Sequence, residues 1–377
     1  MIILATAIIL ALNGSGIIGK AGQARTSADL ASVKEYVVTL KSEWLLDGSE
    51  GDFVSYANQK LQEEGYTSKG FAVDESGEVL GNLSDSAVAL LLSGAKIGDS
   101  VTGYTVSAKT ITTDGLEQSG LDAAGVEVAP VGQSISAYTS YNWVYIGISD
   151  DGQIMISPKP RETYVINYTE AAKYKIKIRY SKGTVYGPDV LNDICDQLYT
   201  TDKGEGRSIN LNDVISILDY TGPLGKYKTP DNEEIYTSSP QTIPSIIAKE
   251  GGSLGTNTYT PDGITDINTL TSNVITFSLA DDSRYINTAR NNIVFTCHHE
   301  DGYHLANDVA YLRLHESQVL FGMQGVNNKG FGFSTVSSSK NVGSNETINS
   351  NAKWVRPVVE LNDDVTFKYE DATIKLN

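Results

Sequence analysis

The four histidines of the chain all fall between His298 and His315, and the run CHHEDGYH is the first place to look for metal chemistry. A zinc-hydrolase helix needs two histidines four residues apart on one face, with a glutamate between them as base. Here His299 and His304 are five apart with Gly302 between them, so they cannot share a helix face. His298, His299, His304 and His315 read either as a transition-metal set or as a loop that happens to hold histidines, and the loop is the expectation. No GxSxG nucleophile elbow, GxxxxGK[ST] phosphate loop or post-strand GxGxxG occurs in the chain. Carboxylates are so frequent that their pairing carries no signal. The chain is expected not to be an enzyme, and to need no cofactor and no metal.

Asp150-Asp151-Gly152 could suggest calcium, but the alternating ligands and distal glutamate of a calcium loop are missing. Between YNWVYIGIS and QIMIS, a DDG triplet reads as a hairpin turn. Cys195 and Cys297 lie 102 residues apart, which excludes a CxxC site. Two readings stay open for them. One is a single disulfide, whose long loop would constrain the unfolded chain by ~4–5 kcal/mol; the other is two buried thiols.

Composition narrows the partners. The 377 residues are 40% hydrophobic, and 29 basic against 46 acidic residues leave a net charge of -17. So acidic a chain repels nucleic acid, and no nucleic-acid partner is expected. With 35 glycines and 21 tyrosines the body reads as β-rich and extracellular.

The elements that would organise such a chain begin at its N-terminus. Met1, Ile2, Ile3, Leu4, Ile8, Ile9, Leu10 and Leu12 belong to an uncharged apolar run that Ile17 and Ile18 extend. It lacks the basic n-region of a secretory signal and is short for a bilayer crossing, which takes ~20 residues. Asn13-Gly14-Ser15-Gly16 interrupts it, and each helix-interior glycine costs about 1 kcal/mol relative to alanine; Gly14 and Gly16 are the expected helix break. Leu30, Val33, Val37, Leu40 and Trp44 then recur at helical spacing among charged residues, predicting a stripe that packs on a globular head. Asp47-Gly48-Ser49 supplies the stop.

Residues 1 to about 46 thus predict one long helix of ~65–70 Å if continuous at 1.5 Å per residue. It resembles the N-terminal helix of type IV pilins and pseudopilins. The resemblance implies a structural subunit of an extracellular type IV pilus-like filament, cleaved just before Met1 and methylated there. Its partners would be the inner membrane and the pilus assembly machinery first, then copies of itself in a helical filament. Met1, Ile2, Ile3, Leu4, Ile8, Ile9, Leu10, Leu12, Ile17 and Ile18 would form the filament core. Ala5 stands where most bacterial pilins carry a glutamate.

The rest predicts an α+β protein: residues 1–52 as the filament or membrane helix, 53–94 as a connecting α/β subdomain with a hairpin around Asp74 to Gly77, and 95–377 as a β-rich head with a few short helices. In the head, Val190, Leu191, Ile194, Cys195 and Leu198 form one helix face, and Val214, Ile217 and Leu218 another behind a cap at Asn210. Residues 221–270 and 334–351 read as loops. The run WVRPVVELN predicts the final strand, with Arg356 on a carboxylate or carbonyl. Ile97-Gly98-Asp99-Ser100-Val101, Trp143 with Asp150-Asp151-Gly152, Leu191 to Tyr199, Arg207-Ser208-Ile209-Asn210 with Asp213, and Val355-Arg356-Pro357-Val358-Val359 resemble the landmarks of a Gram-positive bacterial surface-domain family. That resemblance implies a C-type-lectin-like or formylglycine-generating-enzyme-like fold, and no activity. The competing class is a membrane-anchored lectin-like module binding a glycan or surface protein, with Tyr138, Tyr141, Trp143 and Tyr145 able to stack on sugars, about half of them expected in the core. A sortase-linked pilin would carry a C-terminal sorting signal and apolar tail, whereas this sequence ends VTFKYEDATIKLN.

Overall fold

The computed structural model describes residues 17–48, 50–112, 126–130, 134–160, 173–180, 187–221, 225–227, 245–247, 252–254, 259–261, 272–274, 287–294, 303–304, 306, 311–315, 318–327, 330–336, 347–348 and 353–377. The protein is mixed α+β, with mainly antiparallel strand pairs among the described residues, a parallel pairing of Tyr303 beside Trp354, and few helices. Chain contacts divide it into two units. The first takes the described residues up to Asp99, with Ile148–Ile154 and Asn362–Asn377; the second takes Ser100–Gly147 and Met155–Leu361. The described residues of 17–52 and those of 53–94 lie together in the first unit, and the last sixteen residues join it.

In the first unit, α1 (Ile17–Leu46) ends where Gly48 takes φ +96°, a backbone setting that glycine adopts without penalty. Next comes α2 (Phe53–Glu63), whose cap Asp52 accepts from the Ser55 amide. The short strands β1 (Ala72–Val73) and β2 (Val79–Leu80) pair antiparallel. Asp74 closes their turn, its Oδ1 accepting from the Ser76 and Glu78 amides at 3.0 and 2.8 Å. The apolar run AVALLL folds as α3 (Asp85–Leu92), capped by Ser84.

The second unit is built on a sheet that contains β3 (Ser100–Thr102), β4 (Trp143–Ile148), β5 (Ile154–Pro158), β6 (Gly204–Ser208) and β7 (Pro357–Leu361), lying side by side as β6-β7-β5-β4-β3. The DDG turn joins β4 and β5, with the Ser149 amide donating to the Gln153 carbonyl at 2.9 Å. Every residue of β5, and all of β4 except Ile148, is buried. The strands thus read as continuous apolar runs covered on both faces. Helix α4 (Gly187–Tyr199) lies over β6 so closely that a Cβ at Gly206 would sit 2.7 Å from the Cys195 carbonyl. Helix α5 (Leu211–Leu218) starts at a capping box in which Asn210 and Asp213 exchange backbone bonds. A further sheet carries strands Tyr311–His315, Gln318–Asn327 and Gly330–Val336 as an antiparallel run.

WVRPVVELN is not the last strand. It breaks at Val355–Arg356, and β8 (Phe367–Glu370) and β9 (Thr373–Leu376) follow as a hairpin of the first unit. Its turn residues Asp371 and Ala372 both have positive φ, 50° and 52°, the type I′ setting that favours Asn-Gly. Ala372→Gly should therefore raise stability by ~1 kcal/mol, read as a higher urea midpoint at unchanged slope.

Candidate functional site

Helix α1 meets the rest of the first unit along the predicted stripe. Val33, Val37 and Leu40 are 1%, 5% and 2% exposed, and Leu30 and Trp44 are half-buried. Opposite Val33 and Val37 stand Ala57 and Leu61 of α2, Phe71, Val73 of β1 and Val79 of β2, with Leu30, Tyr36, Phe53 and Tyr66 packed around them. Each fully buried Val or Leu contributes about 1.5–3 kcal/mol, so this seam holds the base of α1 on the unit. Asn58, buried on α2, locks β1 beneath the seam by accepting from the Val73 amide at 2.7 Å and donating to its carbonyl at 2.8 Å.

Aromatic contacts close both ends of the seat. Trp44 tilts over Phe53 at 5.6 Å between centroids, and its Nε1 donates to the Glu50 carbonyl at 3.1 Å. Tyr36 tilts against Tyr66 at 5.6 Å. Burial, and then the Glu64 carboxylate, push the Tyr36 hydroxyl above its ordinary pKa. The Lys34–Glu78 ion pair at 3.4 Å is exposed on both sides and adds little. The outward side of α1 presents Val38, Leu45 and Leu46 to solvent.

Ile17 and Ile18 open α1, whereas Met1, Ile2, Ile3, Leu4, Ile8, Ile9, Leu10, Leu12, Gly14 and Gly16 lie outside the described residues. Among the described residues, no helix is long and apolar enough to cross a membrane.

The second unit holds two cations in networks of hydrogen bonds, Arg207 half-buried and Arg356 buried. Arg207 forks onto Asp213, Nη1 to Oδ2 at 2.7 Å and Nη2 to Oδ1 at 2.9 Å, while its Nε reaches Glu360 at 2.7 Å. Arg356, 4% exposed, donates to the Ser157 hydroxyl at 3.1 Å, the Tyr303 hydroxyl at 2.8 Å and the Ile293 carbonyl at 2.7 Å. Its planar group also lies 4.8 Å from the Tyr303 ring centroid. A carbonyl is thus one of its acceptors, as expected, and the two hydroxyls were not foreseen; nothing in the local sequence marks them, since they arrive from residues 157 and 303.

Of the four aromatic residues considered for sugar stacking, Trp143 and Tyr145 are 5% and 3% exposed and belong to the core. Tyr138 and Tyr141 are half-buried, 4.8 Å apart, and Tyr174 joins them edge-on at 5.4 Å from Tyr138. Tyr174 in turn stacks flat on Trp354 at 5.8 Å. Behind this row the Tyr104 hydroxyl, pushed up to about 12 by burial, donates to the Tyr199 carbonyl at 2.6 Å.

His304 and His315 end the strands Tyr303–His304 and Tyr311–His315, while His298 and His299 lie outside the described residues. Among the described residues, no group of three or more His, Cys, Asp or Glu side chains is placed to hold a metal ion. Cys195 is a free, buried thiol whose pKa burial pushes far up. Cys297 lies outside the described residues.

No protein-family model, no curated protein and no solved structure matches the chain.

Proposed function

We propose that the protein is the structural subunit of an extracellular type IV pilus-like filament. The reading is carried by one observation: α1 is seated by Val33, Val37 and Leu40 on a folded unit, while the sequence upstream of it is the apolar run Met1 to Leu12. A helix fastened at its base, with an apolar tip upstream of it in the sequence, gives the chain one segment to hold the body and another to leave water. The tip is first held in the inner membrane and then, with the help of the assembly machinery, packs against tips of other copies. Both states remove the same surface from water, at about 1.5–3 kcal/mol per large side chain, so transfer between them is nearly balanced. The acidic body stays outside and is free to act in adhesion.

Electron microscopy of the full chain, sheared from cells or reassembled, tests this reading through uniform filaments. Ile9→Asp should abolish them and leave the thermal unfolding of the body unchanged, because a charge cannot be carried into an apolar core without a large desolvation cost. Normal filaments from Ile9→Asp would rule the reading out.

A second reading, a membrane-anchored lectin-like module, is favoured by the half-buried row Tyr138, Tyr141 and Tyr174. It expects particles without filaments and glycan binding by the full chain in detergent that is lost in Tyr138→Ala.

A further inference from the structure

Apart from the α1 seat, the first unit holds a cleft of about 230 Å³. One wall is the cap and one face of α2, where Asp52, Ser55, Gln59 and Gln62 follow at helical spacing. The end of α3 supplies the aliphatic side chains of Leu91 and Leu92, and Glu75 of the β1–β2 turn and Lys96 complete the lining. Its polar groups are fixed in place. Asp52 Oδ2 accepts from the Ser55 amide and hydroxyl, each at 2.9 Å. Those bonds, aided by the charge of Lys96, hold the Asp52 carboxyl below its ordinary pKa and keep it an ionised acceptor. Glu75 Oε1 accepts from the Ile97 amide at 3.2 Å. Asn58, 3% exposed, also lines the cleft. It uses Oδ1 and one Nδ2 hydrogen on Val73, and its other hydrogen has no acceptor among the described residues.

Charge and size select the ligand. An anion would meet Asp52 and Glu75, and a simple cation would meet Lys96. A neutral molecule that both donates and accepts can pair with every one of these groups, and a hydroxyl does both, with one donor and two acceptor lone pairs. Leu91 and Leu92 give such a molecule an apolar surface to rest on. The volume lies below the ~300–1,000 Å³ of clefts that take drug-sized ligands, which leaves room for one ring. We propose that this cleft, through Asp52, Asn58, Gln59, Gln62, Glu75 and Lys96, binds a single neutral sugar ring, free or at the end of a glycan. The site is distinct from the half-buried tyrosine row, which belongs to the second unit, and it stands whether or not the chain forms filaments.

Saturation-transfer NMR on the full chain, held in a detergent without a sugar headgroup, tests it. Glucose, galactose, mannose, N-acetylglucosamine and N-acetylgalactosamine are presented as free sugars and as methyl glycosides, with L-alanine as a small zwitterion beside them. The expected result is binding of at least one sugar. Gln62→Ala or Lys96→Ala should weaken it about 3- to 10-fold, the range for one hydrogen bond. Gln59→Trp, which fills the cleft from an exposed position, should abolish it. Equal binding of sugar and glycoside makes a glycan end the source, and binding lost on glycosylation makes it a free sugar. Binding of none of the sugars, or of L-alanine in their place, would overturn the proposal. So would sugar binding that survives Gln59→Trp and disappears in Tyr138→Ala, which would assign it to the tyrosine row. Thermal midpoints are measured for each variant, and the two alanine variants, both at exposed positions, keep the test decisive if the tryptophan disturbs the fold.

Discussion

Asp213→Ala should lower the stability of the second unit by ~2–3 kcal/mol, less than removing one partner of a fully buried ion pair because the Arg207 side chain is 26% exposed. Asp213 is 5% exposed and does two jobs with one carboxylate. It accepts both terminal nitrogens of Arg207, and its Oδ2 also takes the Asn210 amide at 2.8 Å. Burial alone would lower the pKa of Arg207. The hydrogen bonds and charge of Asp213, then those of Glu360, outweigh that desolvation and hold it above the ordinary arginine value. Alanine leaves the guanidinium with Glu360 as its remaining carboxylate in the triad, and leaves the first turn of α5 without the second half of its capping box, itself worth ~1 kcal/mol. Asp213→Asn keeps an acceptor for the Asn210 amide and should cost less. The exposed pair Lys375–Glu370, 2.9 Å apart with side chains 51% and 59% exposed, is the comparison: Glu370→Ala should leave the urea midpoint close to the parent's. Urea midpoints for the three variants decide the matter. Equal losses from Asp213→Ala and Glu370→Ala would show that burial of the pair carries no weight.

What could be read from sequence here follows from range along the chain. The α1 seat was legible because a helix of period 3.6 writes its buried face into neighbouring turns, as Val33, Val37 and Leu40. The α5 start was legible because Asn210 and Asp213 are three residues apart and cap each other locally. Arg207 was visible only as part of a helix start, since its partner Glu360 is brought in by the β6–β7 pairing, which sets Arg207 opposite Val358 and Glu205 opposite Glu360. Burial of Val144 and Ile146 along with Trp143 and Tyr145 was not legible for a related reason. Alternation holds for a strand with one wet face, and β4 has none over Trp143–Gly147.

Gly152→Ala should cost about 4 kcal/mol or more, which places it in the tail of point substitutions where a named clash is required. The third residue of the DDG turn sits at φ +82°, and a Cβ there would fall 2.0 Å from the Asn82 carbonyl oxygen and 2.9 Å from the Leu83 Cα. These are backbone atoms and cannot swing aside like the end of a flexible side chain. The Asn82 segment is itself held: Asn82 is in the left-handed region at φ 60°, the Leu83 amide donates to the Gly70 carbonyl at 3.0 Å, and the Ser84 amide donates to the Gly152 carbonyl at 3.1 Å. Ser84 caps α3 through the Ala87 amide. A methyl at 152 must therefore separate the turn from the start of α3 and break the Ser84 bond. Left-handed strain is a smaller part of the cost, and Gly77 isolates it. Gly77 has φ +87° with nothing within 4 Å of a Cβ, so Gly77→Ala should lose only ~1–2 kcal/mol. If the two alanine variants unfold at the same urea concentration, contact with Asn82 is not what demands glycine at 152. A loss confined to Gly152→Ala would instead tie the turn to the α1 seat, because the Asn82 segment follows directly from β2, whose Val79 lies under Val33 and Val37. Loosening that hairpin should then weaken the hold on the base of α1, and on the filament reading Gly152→Ala should lower filament yield, although the residue lies far in sequence from the helix that assembles.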